Sequence, residues 1–190
     1  MTLYDIVDRA ALVLRDRLET DVGLCEPDLL KDETRSLVIR CRVDGQAVRA
    51  PASIIIKYFR DDTTLGYSDW ASLQFLTELP TVHELTPRYL GGDVEGRLFL
   101  QEDLGEAKCL GDVLAEYDPK AAGAALRAVA QCMAHVQGAC FGQEELFLMA
   151  REALPGAEAV GRHVEAERWL GHRDKMVRWL QATGCEAPDG

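Results

Sequence analysis

The chain has no apolar run long enough to span a bilayer, no Cys-x-x-Cys pair and no excess of basic residues. The first absence argues against a helical membrane span. Lys and Arg number 21 against 32 Asp and Glu, a formal net charge of −11. That disfavours a generic nucleic-acid or anionic-membrane binder, which needs clustered cations to neutralise phosphate. It leaves room for a local basic pocket that takes one phosphorylated ligand. The six cysteines, Cys25, Cys41, Cys109, Cys132, Cys140 and Cys185, sit mostly in apolar neighbourhoods. They read as reduced thiols of a cytoplasmic protein. Asp5 and Asp8 interrupt the first apolar stretch, unlike a secretory signal. There is no Gly-x-Ser-x-Gly or His-Glu-x-x-His motif, no internal repeat and no low-complexity linker.

What is present suffices for a sizeable core. The 190 residues, 47% hydrophobic and 28% charged, can build one large domain or two small lobes. Leu3, Ile6, Val7, Ala10, Leu14 and Leu18 repeat at helical period, so 2–20 is expected as a packing helix, with Thr2 and Asp5 as a capping box. The period shortens from Leu24, so a first strand is expected up to Leu29-Leu30; the polar cluster over 31–36 loops into an alternating strand at 37–43, and Asp44-Gly45 signals a hairpin. A strand at 53–59 follows, then a loop over 61–68 and a helix over 69–79 that Pro80 stops. Residues 87–90 and 97–100 read as two more strands, with Gly91-Gly92-Asp93 and Glu95-Gly96 between them, and 101–105 as an exposed crossing segment. Helices are expected at 110–117, 120–137 with Gly138 as its stop, 144–153 and 164–182.

The stretch 53–69 organises the rest. Ile54, Ile55 and Ile56 lead into a lone Lys57, and an ammonium inside a strand must be paired or reach something anionic. One reading projects Lys57 from a central strand into a cleft; the other places it on an edge strand, facing water. Asp69, at the front of the next helix, either steadies that ammonium or serves the helix N-terminus.

Three strands, a helix, two strands, a crossing segment and then helices make an α+β pattern with a mainly antiparallel sheet. On Ile55-Ile56-Lys57, SDWASLQFLTEL at 68–79, LFLQEDLG at 98–105 and ALRAVAQCMAHVQG at 125–138, the chain resembles the aminoglycoside-phosphotransferase-like branch of the protein-kinase-like superfamily. The resemblance covers residues 25–140. It implies a five-stranded kinase-like N-lobe sheet with one packed helix over 1–104, followed by an incomplete helical lobe over 105–190.

The resemblance also implies roles. Lys57 would orient ATP phosphates and Asp69 would orient Lys57. The Glu102 carbonyl and Leu104 amide would hold the adenine edge, with Gln101 beside it. Thr34 and Ser36, in the phosphate-covering loop, would offer hydroxyls. Such a kinase moves the γ-phosphoryl of ATP to a substrate hydroxyl with magnesium. Its catalytic loop, usually His-Gly-Asp with an Asn five residues after the Asp, is missing here. His172-Arg173-Asp174 spells the protein-kinase version, but Trp179 stands where Asn should and the surroundings keep helical period. The expectation is therefore the ATP-binding portion of a small-molecule phosphotransferase, truncated before its catalytic segment. Its magnesium ligands would lie elsewhere and its acceptor is unnamed. The alternative is a non-catalytic kinase-like binding or scaffold protein. Cys132 and His135 share a helix face, yet without an evident fourth ligand they read as packing residues or a structural hydrogen bond. Exposed apolar faces, with Trp169 and Trp179, would invite self-association.

Overall fold

The computed structural model describes residues 2–45, 50–60, 64–82 and 84–156. The chain runs α1 (Leu3–Leu18), β1 (Gly23–Asp32), β2 (Ser36–Asp44), β3 (Ser53–Phe59), α2 (Thr64–Glu78), β4 (Tyr89–Asp93), β5 (Leu98–Glu102), α3 (Leu110–Ala115), α4 (Pro119–Cys140) and α5 (Glu144–Glu152). The strands form one open antiparallel sheet in the order β1-β2-β3-β5-β4. The fold is α+β, as the element pattern predicts. All these elements belong to the first of two units, Met1–Pro155 and Gly156–Gly190. The expected helix at 164–182, with Trp169, Trp179 and His172-Arg173-Asp174, lies outside the described residues.

The sheet is covered on both faces, and strand alternation explains how. From β3, Ile54, Ile56 and Tyr58 join Ile39, Cys41, Leu98 and Leu100 in a cluster with Ile6, Val7, Ala10 and Leu14 of α1. The opposite face carries Phe59 and Phe99 against Tyr67, Trp70 and Ala71 of α2. Thr2 caps α1 as predicted: its hydroxyl accepts from the Asp5 amide at 3.2 Å, and the Asp5 carboxylate accepts from the Thr2 amide at 2.7 Å. Burial pushes the Cys41 thiol up to about 11.

Several boundaries differ from the sequence reading. α2 begins at Thr64, inside the expected loop, because Tyr67 belongs to the same buried stripe as Trp70 and Ala71. Lys31 and Asp32 extend β1, leaving only 33–35 as the turn into β2. Gly91 and Gly92 lie within β4 rather than in a turn. A Cβ on Gly92 would stand 2.0 Å from Trp70 Cζ2, so only glycine lets the strand pass beneath that ring. β5 continues to Glu102, so Gln101 and Glu102 are strand residues and the crossing segment starts at Asp103. Gly138 is inside α4, which ends two residues later.

α4 packs mainly through its last turns, where Val136, Ala139 and Cys140 meet Phe75, Leu79 and Val82. Leu126, Val129 and Met133 remain exposed. His135 is also exposed and its side chain makes no hydrogen bond among the described residues, which corrects the expectation of core packing or a structural hydrogen bond. No helix among the described residues is long and apolar enough to cross a membrane.

Candidate functional site

β3 is the middle strand of five, so Lys57 is not an edge-strand lysine. It is half-buried and stands between Val38 of β2 and Phe99 of β5. Its Nζ lies 5.5 Å from the centroid of the Phe99 ring. A cation over a phenylalanine face is worth about 0.5–1 kcal/mol, far less than a triphosphate could supply. Among the described residues no carboxylate pairs with this ammonium.

Asp69 does not approach it. The residue is exposed on α2 and makes no ion pair among the described residues. The helix phase gives the reason. Tyr67, Trp70 and Ala71 fix the buried stripe, and at 100° per residue Asp69 lies roughly 200° around from Tyr67.

Regular pairing of β2, β3 and β5 gathers other candidates on the Lys57 face. Ser36 lies opposite Phe59, and Gln101 lies opposite Ile55. Ser36, Lys57, Phe99 and Gln101 therefore share one side of the sheet. Thr34 is exposed at the tip of the β1–β2 turn. Arg60, just past β3, holds that turn: its Nη1 donates to the Glu33 carbonyl at 2.7 Å and its Nη2 to Asp32 Oδ1 at 2.6 Å. The Arg60 amide donates to the Arg35 carbonyl at 2.9 Å.

Glu102 alternates to the other side, and its carboxylate is occupied by Arg88, through Nη2 at 3.1 Å and Nε at 3.3 Å. Burial pushes this carboxyl up, but the hydrogen bonds and charge of Arg88 outweigh it and leave the pKa below the usual range. The Glu102 amide donates to the Arg88 carbonyl at 2.9 Å. The Phe59 amide donates to the Arg97 carbonyl, which makes residues 55, 57 and 59 the hydrogen-bonded positions toward β5. The Glu102 carbonyl therefore faces away from β3. The Leu104 amide makes no hydrogen bond among the described residues.

Sequence reasoning missed a cluster next to these positions. The Asp103 side chain is only 5% exposed. Its Oδ2 accepts from the Ser53 hydroxyl at 2.7 Å, and its Oδ1 accepts from the Gly105 amide at 2.9 Å and from Arg40 Nη2 at 3.3 Å. Arg40 Nε lies 2.9 Å from Oδ2 but off the line of a hydrogen bond, so attraction there is electrostatic. Arg40 Nη2 also reaches the Gly105 carbonyl at 3.4 Å. One signal was legible: Asp-x-Gly after a strand favours a side-chain-to-backbone turn.

Burial alone would raise the Asp103 pKa; the Ser53 hydroxyl, the Gly105 amide and the Arg40 charge together depress it. A depressed folded-state value means that the stabilisation is complete above the ordinary carboxylate range and disappears as pH falls through the folded value. Asp103→Asn is expected to cost about 1–3 kcal/mol near neutrality. Thermal midpoints of the two proteins, measured from about pH 7 down to about pH 3, should converge as the acid protonates. A gap that persists unchanged to the acid end would show that the carboxylate charge is not what the cluster uses.

Comparison with protein-family models finds no model that matches the chain, and comparison with curated proteins finds no match.

Proposed function

We propose that the α2 face of the sheet binds ATP, as the nucleotide-binding portion of a small-molecule phosphotransferase. The observation that carries this reading is Lys57. It is a half-buried cation on the central strand, over an aromatic ring, without a carboxylate partner among the described residues. Desolvating an ammonium costs free energy that an anionic ligand would offset. The same face holds Ser36 toward the β1–β2 turn and Gln101 toward the crossing segment. A nucleotide lying along β3 would thus meet a hydroxyl and a cation at its phosphate end and exposed backbone at its base end.

In this reading Lys57 binds phosphate oxygens, Ser36 and Thr34 donate hydroxyl hydrogen bonds, and the Glu102 carbonyl and Leu104 amide hold the base edge. Among the described residues no cluster of His, Cys, Asp or Glu is suited to a metal ion, so no magnesium ligand and no step of phosphoryl transfer is assigned to them.

The test is thermal unfolding with and without Mg-ATP. Saturation at a hundred times Kd stabilises by about 2.7 kcal/mol, or roughly 5–10 °C for a chain of this size. Lys57→Met should lose most of that rise. A wild-type midpoint that ignores Mg-ATP overturns the proposal.

A further inference from the structure

We infer that Asp103 is a positioning residue for base recognition, holding the crossing segment in the shape that reads the purine through its contacts with Arg40, Ser53 and Gly105. The inference rests on the nucleotide reading above and deepens it.

The crossing segment needs such a device. After β5 the chain leaves the sheet: Leu104 is 66% exposed and 105–109 are exposed. Gly105 adopts φ +77°, a left-handed turn that glycine tolerates. Exposed backbone of this kind samples many conformations, and ordering it on a ligand costs free energy. To read one base edge, a carbonyl and an amide two residues apart must face the same way. In an extended chain residues i and i+2 do so, and Asp103 sits between them.

Asp103 is fastened on both sides. Upstream, its carboxylate is tied to β3 through Ser53 and to β2 through Arg40. Downstream, it accepts the Gly105 amide. Arg40 closes the loop by also reaching the Gly105 carbonyl. The segment is thus fixed to two strands without consuming the Leu104 amide, which stays available to a ligand. Lys57, on β3, is fixed by other contacts. Base reading and phosphate binding should therefore be separable by mutation.

The experiment compares ATP with inorganic tripolyphosphate, both as magnesium complexes, by calorimetric titration of the full chain. The polyanion tests the phosphate end alone; their affinity ratio reports the base. Wild type should bind ATP about ten-fold or more tightly than tripolyphosphate, the worth of two ordered backbone hydrogen bonds. Asp103→Ala should bring ATP down to the tripolyphosphate level and leave tripolyphosphate unchanged. Asp103→Asn keeps an acceptor for Gly105 but loses the charge facing Arg40, and should fall between. Ser53→Ala, a milder change, guards against misfolding and should reduce the ratio in the same direction. Parallel loss of both ligands in these variants, or an undiminished preference for ATP, would overturn the role of Asp103. If wild type binds the two ligands equally, the base is not read and the inference fails while phosphate binding at Lys57 stands. If it binds neither, both readings fail.

Discussion

Replacing Arg151 with methionine is expected to raise the thermal midpoint by several degrees. The residue sits in α5 and is 2% exposed. Its Nη1 donates to the Leu154 carbonyl at 3.2 Å and to the Pro155 carbonyl at 2.9 Å, closing the end of the helix. Nε and Nη2 are buried without an acceptor among the described residues. Those two nitrogens form the side fork of the guanidinium, the edge that usually takes a carboxylate in two parallel bonds. Burial accordingly pulls the Arg151 pKa down.

Each buried donor left unsatisfied costs about 1–3 kcal/mol, whereas a satisfied bond to a carbonyl returns about 1 kcal/mol. Methionine has a comparable length, no polar hydrogen, and neighbours of suitable character in Phe147 and Leu154, one turn to either side. The net gain should be about 1–3 kcal/mol, or roughly 2–4 °C per kcal/mol. Arg151→Ala leaves a void and should fall below the methionine variant. Calorimetric scans of the three proteins decide it. A methionine variant clearly less stable than wild type would mean that the fork has an acceptor after all.

The second large effect is expected from a single methyl group. Gly92→Ala places a Cβ at 2.0 Å from Cζ2 and 2.5 Å from Cη2 of Trp70. That ring cannot simply step aside. It is 2% exposed, packs against Phe99 at 5.7 Å and Tyr67 at 6.1 Å between centroids, and donates through Nε1 to the Tyr89 hydroxyl at 3.0 Å. Forcing extra volume into a packed site usually costs about 1–3 kcal/mol, and an immobile obstacle puts this case at or above the upper end. Urea unfolding measures it. A double-mutant cycle with Trp70→Phe should show strong coupling, because the smaller ring removes the obstacle. A loss below about 1 kcal/mol for the single variant would mean that the β4 backbone yields instead.

These two sites mark where sequence legibility ends. α1, β3 and α5 could be located from residues close in sequence: a capping box with a helical stripe, a β-branched run, and an acidic first turn with apolar repeats. The order of strands and helices followed from the same local signals. Gly91-Gly92 read as punctuation because glycine pairs usually mark turns, while the cause of Gly92 is a tryptophan on another element. Tyr67 looked like loop because Gly66 and Ser68 flank it, and its true phase appears only once Trp70 and Phe59 share a cluster with it. That phase also keeps Asp69 away from Lys57. The Arg40–Asp103 pair spans 63 positions; no local pattern joins residues so far apart. Lys57 was legible because a lone lysine after three isoleucines conflicts with its surroundings.

The β2–β3–β5 pairing has no bulge, whereas the β1–β2 pairing carries two and the β4–β5 pairing one. Side chains alternate between the apolar α1 side and the side that carries Lys57, so sliding β3 by a single position would swap its two faces. The misaligned sheet would thrust the amine of residue 57 among Ile39, Ile6 and Leu14, a misfold penalised by several kcal/mol. This lysine thus polices strand alignment while the polypeptide is still assembling.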